Sequence, residues 1–146
     1  MILGDGLSAP LTISHDKLQN ENEILEITKK IQFIRPIRDT KEKILNRLYQ
    51  LEACGSTALG PALMLSINVA GKKAGSQVIL CTDGLANNGF GNLEGSLEDS
   101  ILVYENLTNL AIKLGVSVSI ITLKGTGCKL SIIGRLAEYT NGKVRN

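Results

Sequence analysis

The sequence predicts an α/β domain: a Rossmann-like, mostly parallel sheet with helices on both faces. Three observations carry that expectation. Helix-patterned and strand-patterned segments alternate along the chain, an order that suits parallel strands joined by helical crossovers. Val78 to Thr82 is a continuous apolar run bounded by glycine-containing turns, the pattern of a strand buried on both faces. Val116 to Leu123 is a second strand, alternating at first and then solidly apolar. With 146 residues and no internal repeat or low-complexity linker, residues 1–146 read as a single domain.

In order, Met1-Ile2-Leu3 ahead of Gly4-Asp5-Gly6 reads as the tail of a strand entering a turn, and Leu11 to Ile13 adds a brief extended piece. A helix follows from Asp16. Leu18, Ile24, Leu25, Ile27 and Ile31 make its apolar face, with Glu21, Glu23 and Glu26 early and Lys29 and Lys30 late, as the helix dipole favours. Arg35-Pro36 ends it. A second helix starts near Asp39-Thr40, and Ile44, Leu45, Leu48 and Leu51 form its expected buried stripe. Pro61 suits the first turn of a third helix, which is apolar nearly all round and therefore expected to be deeply packed.

After Val78 to Thr82 comes an Asn- and Gly-rich loop. Ser96 is placed to cap a long fourth helix with apolar positions at Leu97, Ile101, Leu107, Leu110, Ala111 and Leu114, and Gly115 to close it. Gly125-Thr126-Gly127 breaks the second strand. Leu130 to Tyr139 is a last helix with Asn141-Gly142 as a left-handed stop, and Lys143 to Asn146 opens another strand.

Composition removes several function classes. The chain is 43% hydrophobic and 21% charged, with a net charge of +2 spread over interspersed Lys and Glu. No basic stripe marks a nucleic-acid or anionic-membrane partner, and 3% aromatics with no Trp leaves no base-stacking platform. Three widely spaced cysteines, Cys54, Cys81 and Cys128, form no C-x-x-C pair. That argues against a zinc site or a disulfide framework and for a reduced, cytosolic setting. No window approaches the ~18 apolar residues of a membrane span, and the N-terminus lacks a signal-peptide profile.

Two places carry candidate chemistry. Gly55-Ser56-Thr57-Ala58-Leu59-Gly60 has the glycine spacing of a phosphate-binding loop, but Pro61 and Ala62 stand where Lys and Ser/Thr are required. The bland reading, a helix N-terminus with glycine for tight entry and Ser/Thr for capping, fits better. Asp83 follows the Val78–Thr82 strand, at the carboxyl end where open α/β sheets bind ligands. Its alternative is an Asp-Gly turn bonding its own backbone. There is no G-x-S-x-G elbow. The single histidine, His15, sits in a polar turn beside Asp16 and reads as a surface residue. Cys81 reads as a core residue within its strand.

Taken together, Cys54 to Leu63 and Ile79 to Asn88 resemble the von Willebrand factor A (VWA) family. The wording GSTALGPAL and ILCTDGLAN is similar to intracellular A domains of protist and other eukaryotic proteins, some attached to circularly permuted Ras-like domains. The resemblance implies that Thr57 and Asp83 are metal ligands of a metal-ion-dependent adhesion site for Mg²⁺ or Mn²⁺, with Ala86 to Gly95 forming part of its rim. It also implies a non-catalytic protein-interaction module whose protein partner completes the site.

The chain departs from the family in one respect. It contains no D-x-S-x-S motif, which the family places at the end of its first strand. The chain therefore reads as an N-terminally truncated domain lacking the first strand–helix–strand unit, its missing strands absent or supplied by another chain. Thr57 and Asp83 alone make a half-site, short of the octahedral oxygen set that Mg²⁺ demands. Two other readings stand beside it: a metal-independent structural scaffold, and a nucleotide- or phosphate-binding domain using the Gly55–Gly60 loop.

Overall fold

The computed structural model describes residues 13–31, 36–50, 52, 55–82, 86–122 and 129–145. The expected strand at residues 1–3 lies outside them, as do Leu51, Cys54, Asp83 and Cys128. A short 3-10 turn (His15–Gln19) leads into α1 (Glu21–Lys30), whose N-cap Asn20 accepts a hydrogen bond from the Asn22 amide. Then come α2 (Ile37–Tyr49), α3 (Leu59–Ala70), β1 (Gln77–Thr82), α4 (Leu97–Leu114), β2 (Ser117–Thr122), α5 (Leu130–Tyr139) and β3 (Val144–Arg145). The α/β class and the parallel sheet hold.

Strand order is β1-β2-β3, both pairings parallel, with α4 and α5 as the crossovers. The register sets Val78 beside Val118 and Leu80 beside Ile120. Val118 and Ile120 are fully buried in one continuous core with Leu63, Leu65 and Ile67 of α3, Tyr104, Leu107 and Ala111 of α4, and Ile133 and Leu136 of α5. Residue Gly142 lets the turn before β3 pass against β2, since a Cβ there would fall 1.8 Å from the Val118 carbonyl oxygen. The neighbouring Thr140 hydroxyl accepts from the Val118 amide (2.9 Å) and donates to the Leu136 carbonyl (2.6 Å).

Side chains of the opposite parity point the other way. Ile79 is 59% and Ile121 40% exposed, and Cys81 is exposed too. This corrects two expectations, that β1 is buried on both faces and that Cys81 is core. In a pleated strand alternate side chains point to opposite faces, and the core of α3, α4 and α5 takes up only the side that carries Val118 and Ile120. An apolar run thus reads the same whether one face or both are covered.

α3 fulfils its expectation, with eight of its residues buried between α1, α4 and β1. Lys72, just beyond it, donates to the carbonyls of Thr28 (2.8 Å) and Ile31 (2.5 Å) and so caps the end of α1. α2 corrects its own. It begins at Ile37, ahead of Asp39-Thr40, because Pro36 occupies the N-cap with its backbone preset. Leu45 and Leu48, expected in a buried stripe, are exposed, and Thr40 is the helix's buried residue. Amphipathic spacing specifies a helix; it does not supply the surface that the stripe would pack on.

Candidate functional site

The helix-start stretch meets the loop beyond the carboxyl end of β1. Thr57 donates its backbone N–H to the Asn87 side-chain oxygen (2.7 Å). Its carbonyl accepts from the amides of Asn87 (3.1 Å) and Asn88 (3.2 Å). One residue earlier, the Ser56 hydroxyl accepts from the Asn88 side-chain amide (2.7 Å). A backbone N–H can only donate, so the Asn87 carboxamide must present its oxygen to Thr57. Both backbone groups of Thr57 are thus tied to Asn87 and Asn88, far along the chain, while its side chain lies at the exposed rim.

The loop itself is fastened on every flank. Phe90 donates its amide to the Leu18 carbonyl (3.1 Å), and Leu93 donates to Ala86 (2.8 Å). From α4, Ser100 donates to the Asn92 carbonyl (2.6 Å) and Tyr104 to that of Gly91 (3.0 Å). Lys129, at the start of α5, donates to the Leu93 carbonyl (2.5 Å). Approach to α3 is close enough that a Cβ on Gly60 would meet the Phe90 carbonyl oxygen at 2.2 Å. At Gly89 (φ +77°) a side chain would meet Pro61 and Leu18 as well as a left-handed backbone. The Asn/Gly loop is therefore a built rim, held by the elements on either side of it.

Of the two candidate metal ligands, the structure places Thr57 at this rim, and Asp83 lies outside the described residues. Thr57 fits the hydroxyl part of a cation's ligand set: it is exposed, with its backbone anchored by three hydrogen bonds. The carboxylate that a hard divalent cation prefers would fall to Asp83. Among the described residues no group of three or more His, Cys, Asp or Glu side chains converges. The phosphate-loop alternative meets a chemical obstacle here. Pro61 and Ala62 sit in the first turn of α3, with Pro61 buried, so no cation faces the Gly55–Gly60 loop from the position that such loops use.

A groove of about 660 Å³ runs between α4 and α5, walled by Leu97, Ile101, Tyr104, Ile112, Ile132 and Tyr139. Arg135 and Glu105 face each other there at 3.9 Å, both more than half exposed, a pair of small energetic worth. Lys129, the other charged residue of its lining, is committed to the Leu93 carbonyl.

Sequence reasoning put Asn87 and Asn88 in the rim segment but missed their bonds to Thr57 and Ser56. Their partners lie thirty and thirty-two residues away, and no local pattern encodes such a pairing; the run of Asn and Gly signals only turns.

No family model matches the chain. It is similar to a segment of the circularly permutated Ras protein 1 of Dictyostelium discoideum, 34% identical over 143 residues. The match takes in 96% of this chain and 17% of that protein's length.

Proposed function

We propose that this chain is a non-catalytic, protein-recognising module of VWA type, which uses the rim around Thr57 as its contact surface. What supports the reading is the clasp itself. The two stretches that resemble the family, Cys54 to Leu63 and Ile79 to Asn88, are hydrogen-bonded to each other through Ser56–Thr57 and Asn87–Asn88. In this reading Thr57 and Asp83 hold Mg²⁺ or Mn²⁺ weakly, because no D-x-S-x-S motif adds further oxygens. A bound cation would offer a positive Lewis-acidic point to a carboxylate of the protein partner.

A partner chain also has a place to add strands. Among the described residues β1 stands at the end of the sheet order beside β2, and Val78 to Cys81 carry no charge or proline to discourage pairing. The setting proposed is cytosolic. No helix of the described residues is long and apolar enough to cross a membrane.

The Ras-like name of the relative favours one competing reading, nucleotide binding with attendant enzymatic activity in the longer protein. Calorimetric titration with Mg²⁺, Mn²⁺ and ATP separates the readings. Mn²⁺ binding that Asp83→Ala abolishes is the expected result. Silence in all three points to a metal-independent scaffold, and ATP binding alone sinks the proposal in favour of the nucleotide reading.

A further inference from the structure

We infer that Asn87 is a positioning residue of the rim: its carboxamide oxygen fixes the backbone of Thr57 and thereby aims the Thr57 hydroxyl. The inference rests on the cation-assisted reading above for its purpose, and on geometry alone for its existence. Asn87 engages Thr57 twice, its side-chain oxygen taking the Thr57 N–H at 2.7 Å and its own N–H meeting the Thr57 carbonyl at 3.1 Å. Asn88 repeats the pattern one step on, with its amide on the same carbonyl at 3.2 Å and its side chain on Ser56 at 2.7 Å. The residues before and after the clasp are equally constrained. Gly60 leaves no room between α3 and Phe90, and Gly89 none between the loop, Pro61 and Leu18. Removing the Asn87 side-chain acceptor releases the Thr57 N–H, while the Thr57 carbonyl stays on the Asn87 and Asn88 amides and the loop stays anchored through Phe90, Gly91, Asn92 and Leu93.

The residue type matters in a specific way. Thr57 N–H needs an acceptor of fixed length. Aspartate at 87 supplies one of the same reach, and a charge-assisted bond with it. Alanine supplies none, and glutamine carries its oxygen one methylene too far. Groups that orient a metal ligand in this way usually account for about tenfold or more in metal affinity. Aspartate would further place a negative charge beside the rim, favouring a cation.

The test compares the 146-residue chain with Asn87→Ala, Asn87→Gln and Asn87→Asp by amide hydrogen exchange and Mn²⁺ titration. Asn87→Ala and Asn87→Gln are expected to speed exchange at Thr57 by about tenfold and to weaken Mn²⁺ by about tenfold. Buried strand amides such as Val118 keep their protection. Asn87→Asp restores slow exchange and binds Mn²⁺ at least as tightly as the parent. Unchanged exchange at Thr57 in both Ala and Gln variants overturns the clasp, whatever the metal does. Faster exchange with no Mn²⁺ binding by the parent chain overturns the cation reading, and with it the purpose assigned to Asn87, while the clasp stands. Global loss of protection in the Ala variant alone shifts the decision to Gln and Asp, which keep a polar side chain at the position.

Discussion

Val118 and Ile120 are sealed beneath α3, α4 and α5, whereas Ile79 and Ile121, on the same two strands, stand 59% and 40% exposed on the other side. The residue types barely differ: β-branched apolar side chains occupy both sides of β2. What differs is the neighbour. One side is backed by α3 and by the crossover helices α4 and α5; the other offers Ile79, Cys81 and Ile121, with the Gln77 side chain reaching across to Ser119 at 2.9 Å. Such an apolar surface, reaching onto a strand that among the described residues pairs with β2, is what a partner chain could cover.

The contrast can be broken most forcefully where β3 approaches β2. Gly142→Ala sets a Cβ against the Val118 carbonyl, a backbone atom that cannot swing aside. The expected cost is about 3 kcal/mol or more, read as a fall in the urea midpoint at constant m-value. Next in size is Ile120→Ala, which opens a cavity under the helix layer and costs about 3 kcal/mol. Should Ile121→Ala cost as much as Ile120→Ala, the exposed side is covered in solution and the contrast between the faces fails. Thr140→Val tests the same covered side through polarity. It strands the buried Val118 amide and removes the donor to Leu136, for an expected loss of about 2 kcal/mol.

The same contrast shows what a sequence can and cannot disclose. Features set by neighbours along the chain were legible. Ser96 caps α4 through the Asp99 amide, Gly115 closes it at φ +64°, α5 runs from Leu130 to Tyr139, and Asn141 takes the left-handed stop at φ +56°. Features set by distant neighbours were not. Periodicity assigned Leu45 and Leu48 to a helix face without saying that nothing described packs on it. An apolar run made Val78 to Thr82 a strand without saying that only one side is covered. The rim shows the same limit. Thr57 was singled out by resemblance, but its partners Asn87 and Asn88 are joined to it by tertiary contact, which no spacing rule carries.

The smallest expected effect probes the exposed side directly. Ile79→Ser removes an apolar side chain already largely in water, so little burial is lost, and the change in stability should stay within about 0.5 kcal/mol. Serine weakens strand propensity slightly, which sets the sign as mildly destabilising. The accompanying probe is Cys81, exposed one pleat further along the same side. In a Cys54→Ser, Cys128→Ser background its thiol should react with a maleimide at a rate close to that of an unhindered thiol. If a protein partner or a second chain lays strands over this side, adding it slows the labelling of Cys81, and Ile79→Ser then weakens association far more than it weakens folding. If labelling is already slow in the isolated chain, the side is covered without any partner, and the contrast between the two faces fails.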